Sequence, residues 1–288
     1  KKNIFSLLLP ALFFAVISII VRTINDGLTI QSIGILFLQV AKGLVRDSFF
    51  AAGLWFLVCL FVVRTLFSLI KKIRSKPVML IISIVLLAVS EYILTPGTGK
   101  SPHLWYNIDI AFYSLGFYVM GYIALPFIQR LFKADSSVKK IIIIITGLIA
   151  LFFTAGFFFG KPEGAFSPAD LNPVLMTIAK LIHAYAGIWF ILLISYLVKG
   201  FTVLCRIGRD TLYLCGNEYL IKLFVSVLIG IVAPDFELST PLATALYTVI
   251  LLVLAHFFLN PVIKKLYKAV SGCFRKLFLP AGHREGNK

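Results

Sequence analysis

Residues 48–70, SFFAAGLWFLVCLFVVRTLFSLI, constrain this chain more than any other stretch. Some 20 apolar residues at about 1.5 Å each make a helix about 30 Å long, the thickness of a bilayer's hydrocarbon core. A helix also satisfies every backbone N–H and C=O of the segment without water, which a spanning segment requires. Lys71, Lys72, Arg74 and Lys76 follow directly, and a basic flank of that kind marks a cytoplasmic end. The rest of the chain has the same character: of its 288 residues 60% are hydrophobic and only 14% charged. Soluble domains carry nearer a quarter charged residues, so a soluble globular fold is excluded. The predicted class is all-α, a polytopic transmembrane helix bundle.

Eight spans are predicted: 4–21, 48–70, 77–94, 109–127, 141–160, 173–198, 212–232 and 241–262. Residues 1–262 thus form the bundle, and 263–288 a basic amphipathic tail. The segments on one side of these spans carry 20 Lys and Arg, those on the other 5. The formal charge of +16 is therefore mostly topogenic. Both ends are predicted to be cytoplasmic, in the plasma (inner) membrane. No soluble basic face exists to bind nucleic acid, so no nucleic-acid partner is expected. Within 23–47, the apolar part 30–44 is too short to span and reads as an interfacial or re-entrant helix. The tail alternates basic and apolar residues and is expected on the anionic inner leaflet. The first residue is Lys, not Met, and no small-residue cleavage site follows the first span. That span reads as a membrane helix, and residues upstream of it are expected.

Cys59, Cys205, Cys215 and Cys273 form no CxxC pair and no Cys/His cluster; they read as packing residues, and no metal site is predicted. Nor is there a P-loop, a GxSxG or an HExxH pattern, so any chemistry belongs to groups inside the bundle.

Six ionisable residues stand out within the spans: Glu91, Lys180, His183, Glu218, Lys222 and His256. Each costs about 2.5–3.5 kcal/mol to insert unless partnered or hydrated. Glu218 and Lys222 share a helix face four residues apart, and His256 on the next helix stands at a similar depth. The three are candidates for one polar pocket; the alternative is an ion pair and a histidine that only tie helices together. Lys180 and His183 share a face of the sixth span, and Glu91 ends the third. Gly156 and Gly160 read as a packing motif. Trp55, Trp105, Tyr106 and Tyr122 suit a membrane-interface belt, although Trp55 is rather deep for that role.

Four ordered segments resemble one family. Leu54-Trp55-Phe56-Leu57 with Leu60-Phe61 is similar to the WFL segment of the membrane-bound acyltransferase-3 family. Asn107-x-Asp109-x-Ala111-Phe112-Tyr113, followed by Gly116-Phe117 and Gly121-Tyr122, resembles its aromatic, glycine-rich later helix. Ile207-Gly208-Arg209-Asp210-Thr211-Leu212-Tyr213 resembles its approach to a late helix, and Lys1-Lys2 before Leu7-Leu8-Leu9-Pro10 the start of its third helix. The resemblance implies ten helices in a complete member, of which the eight here are the last. It implies an O-acyltransferase of the fucose 4-O-acetylase-like kind. Such enzymes pass an acyl group, usually acetyl from cytoplasmic acetyl-CoA, to a hydroxyl of a saccharide or lipid-linked glycan. The family's catalytic Arg and His lie on its first helix, and no matching positions exist in this sequence; Glu218 stands where many members carry His.

Transfer to a hydroxyl needs a base and a donor for the developing oxyanion. Glu218, His256 and Lys222 are the candidates for supporting roles. Trp55, Phe56, Asp109, Lys180 and His183 are the candidates for substrate binding, and Arg130, Arg206 and Arg209 for the acyl-CoA phosphates. Two other functions fit the residues: a transporter or flippase for a lipid-linked saccharide, and an inactive member acting as an assembly partner.

Overall fold

A computed structural model describes residues 4–27, 29–46, 53–94, 104–133, 141, 144–151, 173–198, 200–232 and 241–278. Among the described residues every regular element is a helix. In chain order these are α1 (Leu9–Asp26), α2 (Ile30–Ala41), α3 (Leu54–Ile70), α4 (Lys76–Ala88), α5 (Ile108–Lys133), α6 (144–151), α7 (Pro173–Leu197), α8 (Thr202–Arg209), α9 (Thr211–Gly216), α10 (Glu218–Val232), α11 (Pro241–Leu254) and α12 (Asn260–Phe278).

Among the described residues six helical stretches are long and apolar enough to cross a membrane: Ser6–Asp26, Leu54–Ile73, Lys76–Leu94, Trp105–Phe132, Thr177–Leu197 and Ala243–Gly272. They coincide with six of the eight expected spans. Most of the expected span 141–160, with its Gly156 and Gly160, lies outside the described residues. The expected span 212–232 is interrupted: α9 stops at Gly216, Asn217 leaves the helical conformation (φ −94°, ψ 4°), and α10 resumes at Glu218. The eighth span does not stop at 262. A π-helical turn, Ala255–Leu259, joins α11 to α12, so the first part of the expected tail continues the same rod.

The chain forms two compact units, Lys1–Ile123 with Arg209–Lys288, and Ala124–Gly208. In the first, α3 packs through two faces. Leu54, Leu57 and Val58 meet Ala11, Phe14, Ala15 and Ile19 of α1, together with Leu36, Leu44 and Ile263. Cys59, Val63, Phe67 and Ile70 meet Met79 of α4 and Ala111, Leu115 and Val119 of α5. The four-residue spacing on α5 puts these three on one stripe, as a helix period demands. A Cβ on Gly216 would run into the ring of Phe14, so glycine there lets α9 close on α1. The Lys71 ammonium lies 5.3 Å from the centre of the Tyr122 ring, and Phe67 stacks edge-on against Tyr118 and Tyr122.

The loop 23–47 is also ordered by local chemistry. Gly27 ends α1 in the left-handed conformation (φ 60°), which glycine adopts without a Cβ clash. The Thr29 hydroxyl then caps α2 by accepting from the Ser32 N–H. At 12 residues, α2 is about 18 Å long and cannot span. In the second unit the Trp189 indole donates to Thr146 Oγ1 at 3.2 Å, and Phe132 stacks on Trp189 and Tyr196.

Candidate functional site

Two polar constellations lie inside the first unit. The first is a ladder along the α11–α12 rod. His256, Asn260 and Lys264 recur every four residues, and each meets the segment 210–217. Lys264 Nζ donates to Asp210 Oδ1 at 2.5 Å, while His256 Nδ1 faces Asp210 Oδ2 at 3.5 Å. Asn217 Nδ2 donates to Asn260 Oδ1 at 3.4 Å, both side chains being fully buried. The Asp210 and His256 side chains are 14% and 12% exposed, so this charge is held mostly by protein. The Lys264 ammonium also lies 5.3 Å from the centre of the Tyr213 ring.

The ladder is not saturated. Among the described residues His256 Nδ1, Asn217 Oδ1 and Asn260 Nδ2 have no hydrogen-bond partner and are sealed from solvent. Exchanging O and N in both amides leaves the same balance, one donor and one acceptor unbonded. Buried groups of this kind carry a cost of about 1–3 kcal/mol each. They occur where a helix has already broken, at Asn217, and where the rod makes its π-helical turn. Pro261 accounts for that turn: it has no N–H and its ring crowds the carbonyl four residues back, so the preceding turn widens.

Of the expected site residues, Glu218 and Lys222 do pair, Nζ to Oε1 at 2.5 Å, with Lys222 half exposed. His256 faces Asp210. A Cβ on Gly53 would overlap the Glu218 carboxylate and the Cys215 carbonyl oxygen, so glycine admits the start of α3 to the bend at 215–218.

That same helix start carries the second constellation. Asn107, 1% exposed, accepts from the Arg46 N–H at 2.8 Å and donates to the Gly43 and Leu44 carbonyls at 3.3 Å. The Tyr106 N–H donates to the Lys42 carbonyl at 2.9 Å. Leu44, Tyr106 and Asn107 all have left-handed backbones, φ 50°, 59° and 56°. So placed, the Arg46 guanidinium lies 5.9 Å from the centre of the Trp55 ring, and Trp55 meets Phe56 edge-on. Asp109 is buried in the first turn of α5, where a helix favours negative charge. Its carbonyl accepts from Ser90 Oγ at 2.6 Å.

The first unit therefore holds Trp55, Phe56, Asp109, Arg209, Glu218, Lys222 and His256. Lys180, His183, Arg130 and Arg206 belong to the second unit. There His183 Nδ1 lies 3.3 Å from the Ala179 carbonyl, and Lys180, Arg130 and Arg206 are exposed, as is Arg209. Among the described residues no group of three His, Cys, Asp or Glu side chains stands close enough to hold a metal.

Residues 1–259 match the acyltransferase-3 family, described as an acyltransferase domain. The chain is a member of that family. No curated protein and no solved structure matches it. Membership makes this a membrane acyltransferase in general terms. The acyltransferase-3 match ends within the π-helical turn, yet Lys264, just beyond it, completes the ladder by pairing with Asp210 inside it. Sequence reading missed Asp210, Asn217, Asn260, Lys264 and Arg46 as site residues. The four-residue recurrence of His256, Asn260 and Lys264 was the available signal, hidden by ending the span at 262.

Proposed function

We propose that this acyltransferase-3 member is an integral O-acyltransferase of the plasma membrane. It takes an acyl group, acetyl in the first instance, from cytoplasmic acyl-CoA and places it on a hydroxyl of an envelope or exported saccharide. The observation that carries the reading is the family match along 1–259, over a bundle that holds buried charge and fixed polar side chains. In the reaction the hydroxyl oxygen attacks the thioester carbonyl and the C–S bond breaks. The hydroxyl proton ends on the CoA sulfur. A base must accept that proton in passing, and a donor must meet the oxyanion.

Glu218, Lys222 and His256 serve in support, with Asp210 facing the imidazole and Lys264 holding Asp210. Trp55, Phe56 and Asp109 serve the acceptor, as do Lys180 and His183. Arg130, Arg206 and Arg209 are exposed cations suited to the phosphates of CoA. Both ends of the chain are cytoplasmic in this reading, and the bilayer is its solvent.

Deletion of the gene tests this. Envelope saccharide from the deleted strain should lose base-labile O-acyl groups and regain them when the complete coding sequence is restored. Unchanged acylation with lipid-linked saccharide accumulating on the inner leaflet would instead mark a carrier. Unchanged acylation with neither effect would mark an assembly partner.

A further inference from the structure

We propose that α8 is an in-plane anchor. It lies along the cytoplasmic leaflet of the bilayer, its apolar side among the lipid tails, with Arg206 on the phosphates of anionic lipids. α7 belongs to a stretch apolar enough to cross the membrane, which ends at Leu197. A tight turn follows, in which the Phe201 N–H donates to the Val198 carbonyl at 2.9 Å, and α8 starts at Thr202. From Leu197 to Thr202 the chain reaches at most about 18 Å, so α8 stays near the membrane surface. Its far end is fixed as well. The Asp210 carbonyl accepts from the Tyr213 and Leu214 N–H groups at the start of α9, and the Asp210 carboxylate pairs with Lys264. At eight residues α8 is about 12 Å long, too short to span. A helix so tethered at both ends lies along the surface.

The residues of α8 divide as such a position requires. Val203, Leu204 and Ile207 fall on one side of the helix, and Thr202, Arg206 and Arg209 on the other. No acidic residue is present on it. Phe201, Val203 and Leu204 are 65%, 52% and 48% exposed, so the fold itself leaves the apolar side uncovered, and Arg206 is exposed on the opposite side. Both sides are satisfied together only at the boundary between tails and headgroups. Charge complementarity then selects the lipid. The cytoplasmic leaflet carries anionic headgroups, and a guanidinium can give a phosphate two parallel N–H bonds. The phosphates of CoA offer Arg206 the same chemistry, but they cannot cover Phe201, Val203 and Leu204; a leaflet does both. The inference depends on the membrane bundle and not on acyl transfer.

The test adds one reporter, Phe201→Trp, to the complete protein in liposomes of phosphatidylcholine. The added emission, read against the parent protein, should be quenched by lipid brominated on its acyl chains and not by aqueous acrylamide. At low ionic strength brominated phosphatidylglycerol should quench at about fivefold lower mole fraction than brominated phosphatidylcholine, the scale expected of one cation near an anionic surface. Arg206→Gln should abolish that difference, and Arg206→Lys should keep most of it. Emission open to acrylamide would place α8 in water and overturn the proposal. Emission sheltered from both quenchers would mark a protein partner and overturn it equally. Equal potency of the two brominated lipids would remove Arg206 from the headgroups. A difference that acetyl-CoA abolishes would assign Arg206 to the acyl donor instead, overturning the anchor while leaving the acyl-transfer reading intact.

Discussion

At the scale of single residues, Asp210 carries the most consequence. Its two carboxylate oxygens serve Lys264 and His256, and it is largely enclosed, so neither partner can be removed cheaply. A buried pair gains little over an apolar replacement, but a single survivor is left charged and uncompensated. Asp210→Asn or Lys264→Met should each lower the unfolding free energy by about 3 kcal/mol. The double variant Asp210→Leu, Lys264→Met should recover most of it. Thermal denaturation in detergent, compared across the cycle, reads this directly; additive losses would show that the pair is not coupled. Asp210 was visible in the sequence only as one letter of a loop motif. Lys264 looked like one more topogenic lysine. Their pairing brings together positions 54 apart in the sequence, which no local pattern records.

At the scale of elements, hydrophobic length predicted most helices well, because crossing a bilayer leaves few alternatives. The spans around α1, α3, α4, α5, α7 and α11 are all recognisable from apolar run length alone. Where the reading erred, polar side chains competed with the pattern. Asn217 breaks the seventh span while remaining fully buried; it stands between Gly216 and Glu218, and the apolar runs on either side masked the break. The rod runs on past 262 because Ile263 packs in the core and Tyr267 meets Phe13 and Tyr213. Lys264 and Lys265 suggested water there, yet the apolar side of α12 was already committed to α1. Trp55 and Asp109 were singled out in the sequence because their types are chemically expressive. The bonds that tie Asn107 to residues 43–46 were not legible, since positive φ at Leu44 and Tyr106 contradicts local preference. Pro261→Ala supplies the missing N–H and allows an ordinary turn, which would rotate His256 against Asn260 and Lys264. Acyl transfer should then fall by about tenfold or more despite the better helix former. Turnover equal to that of the unaltered protein would show that the π-helical register is irrelevant to the chemistry.

At the scale of the whole molecule, the excess of Lys and Arg on one side of the expected spans, 20 against 5, predicts the orientation. A green fluorescent reporter fused after Lys288 should fluoresce, and a phosphatase fused there should stay inactive, since that end is predicted to be cytoplasmic. An active phosphatase would reverse the bundle and place the exposed arginines away from acyl-CoA. Orientation matters to the proposed reaction, in which acyl-CoA reaches the bundle from the cytoplasmic face. The decisive measurement is acetyl transfer by the complete protein in sealed liposomes, supplied with acetyl-CoA labelled in the acetyl group and a saccharide acceptor. Label should appear in ester linkage on the saccharide, with one free CoA thiol released per ester formed. Saccharide crossing the bilayer unlabelled, with no thiol released, would contradict an acyltransferase and reveal a carrier.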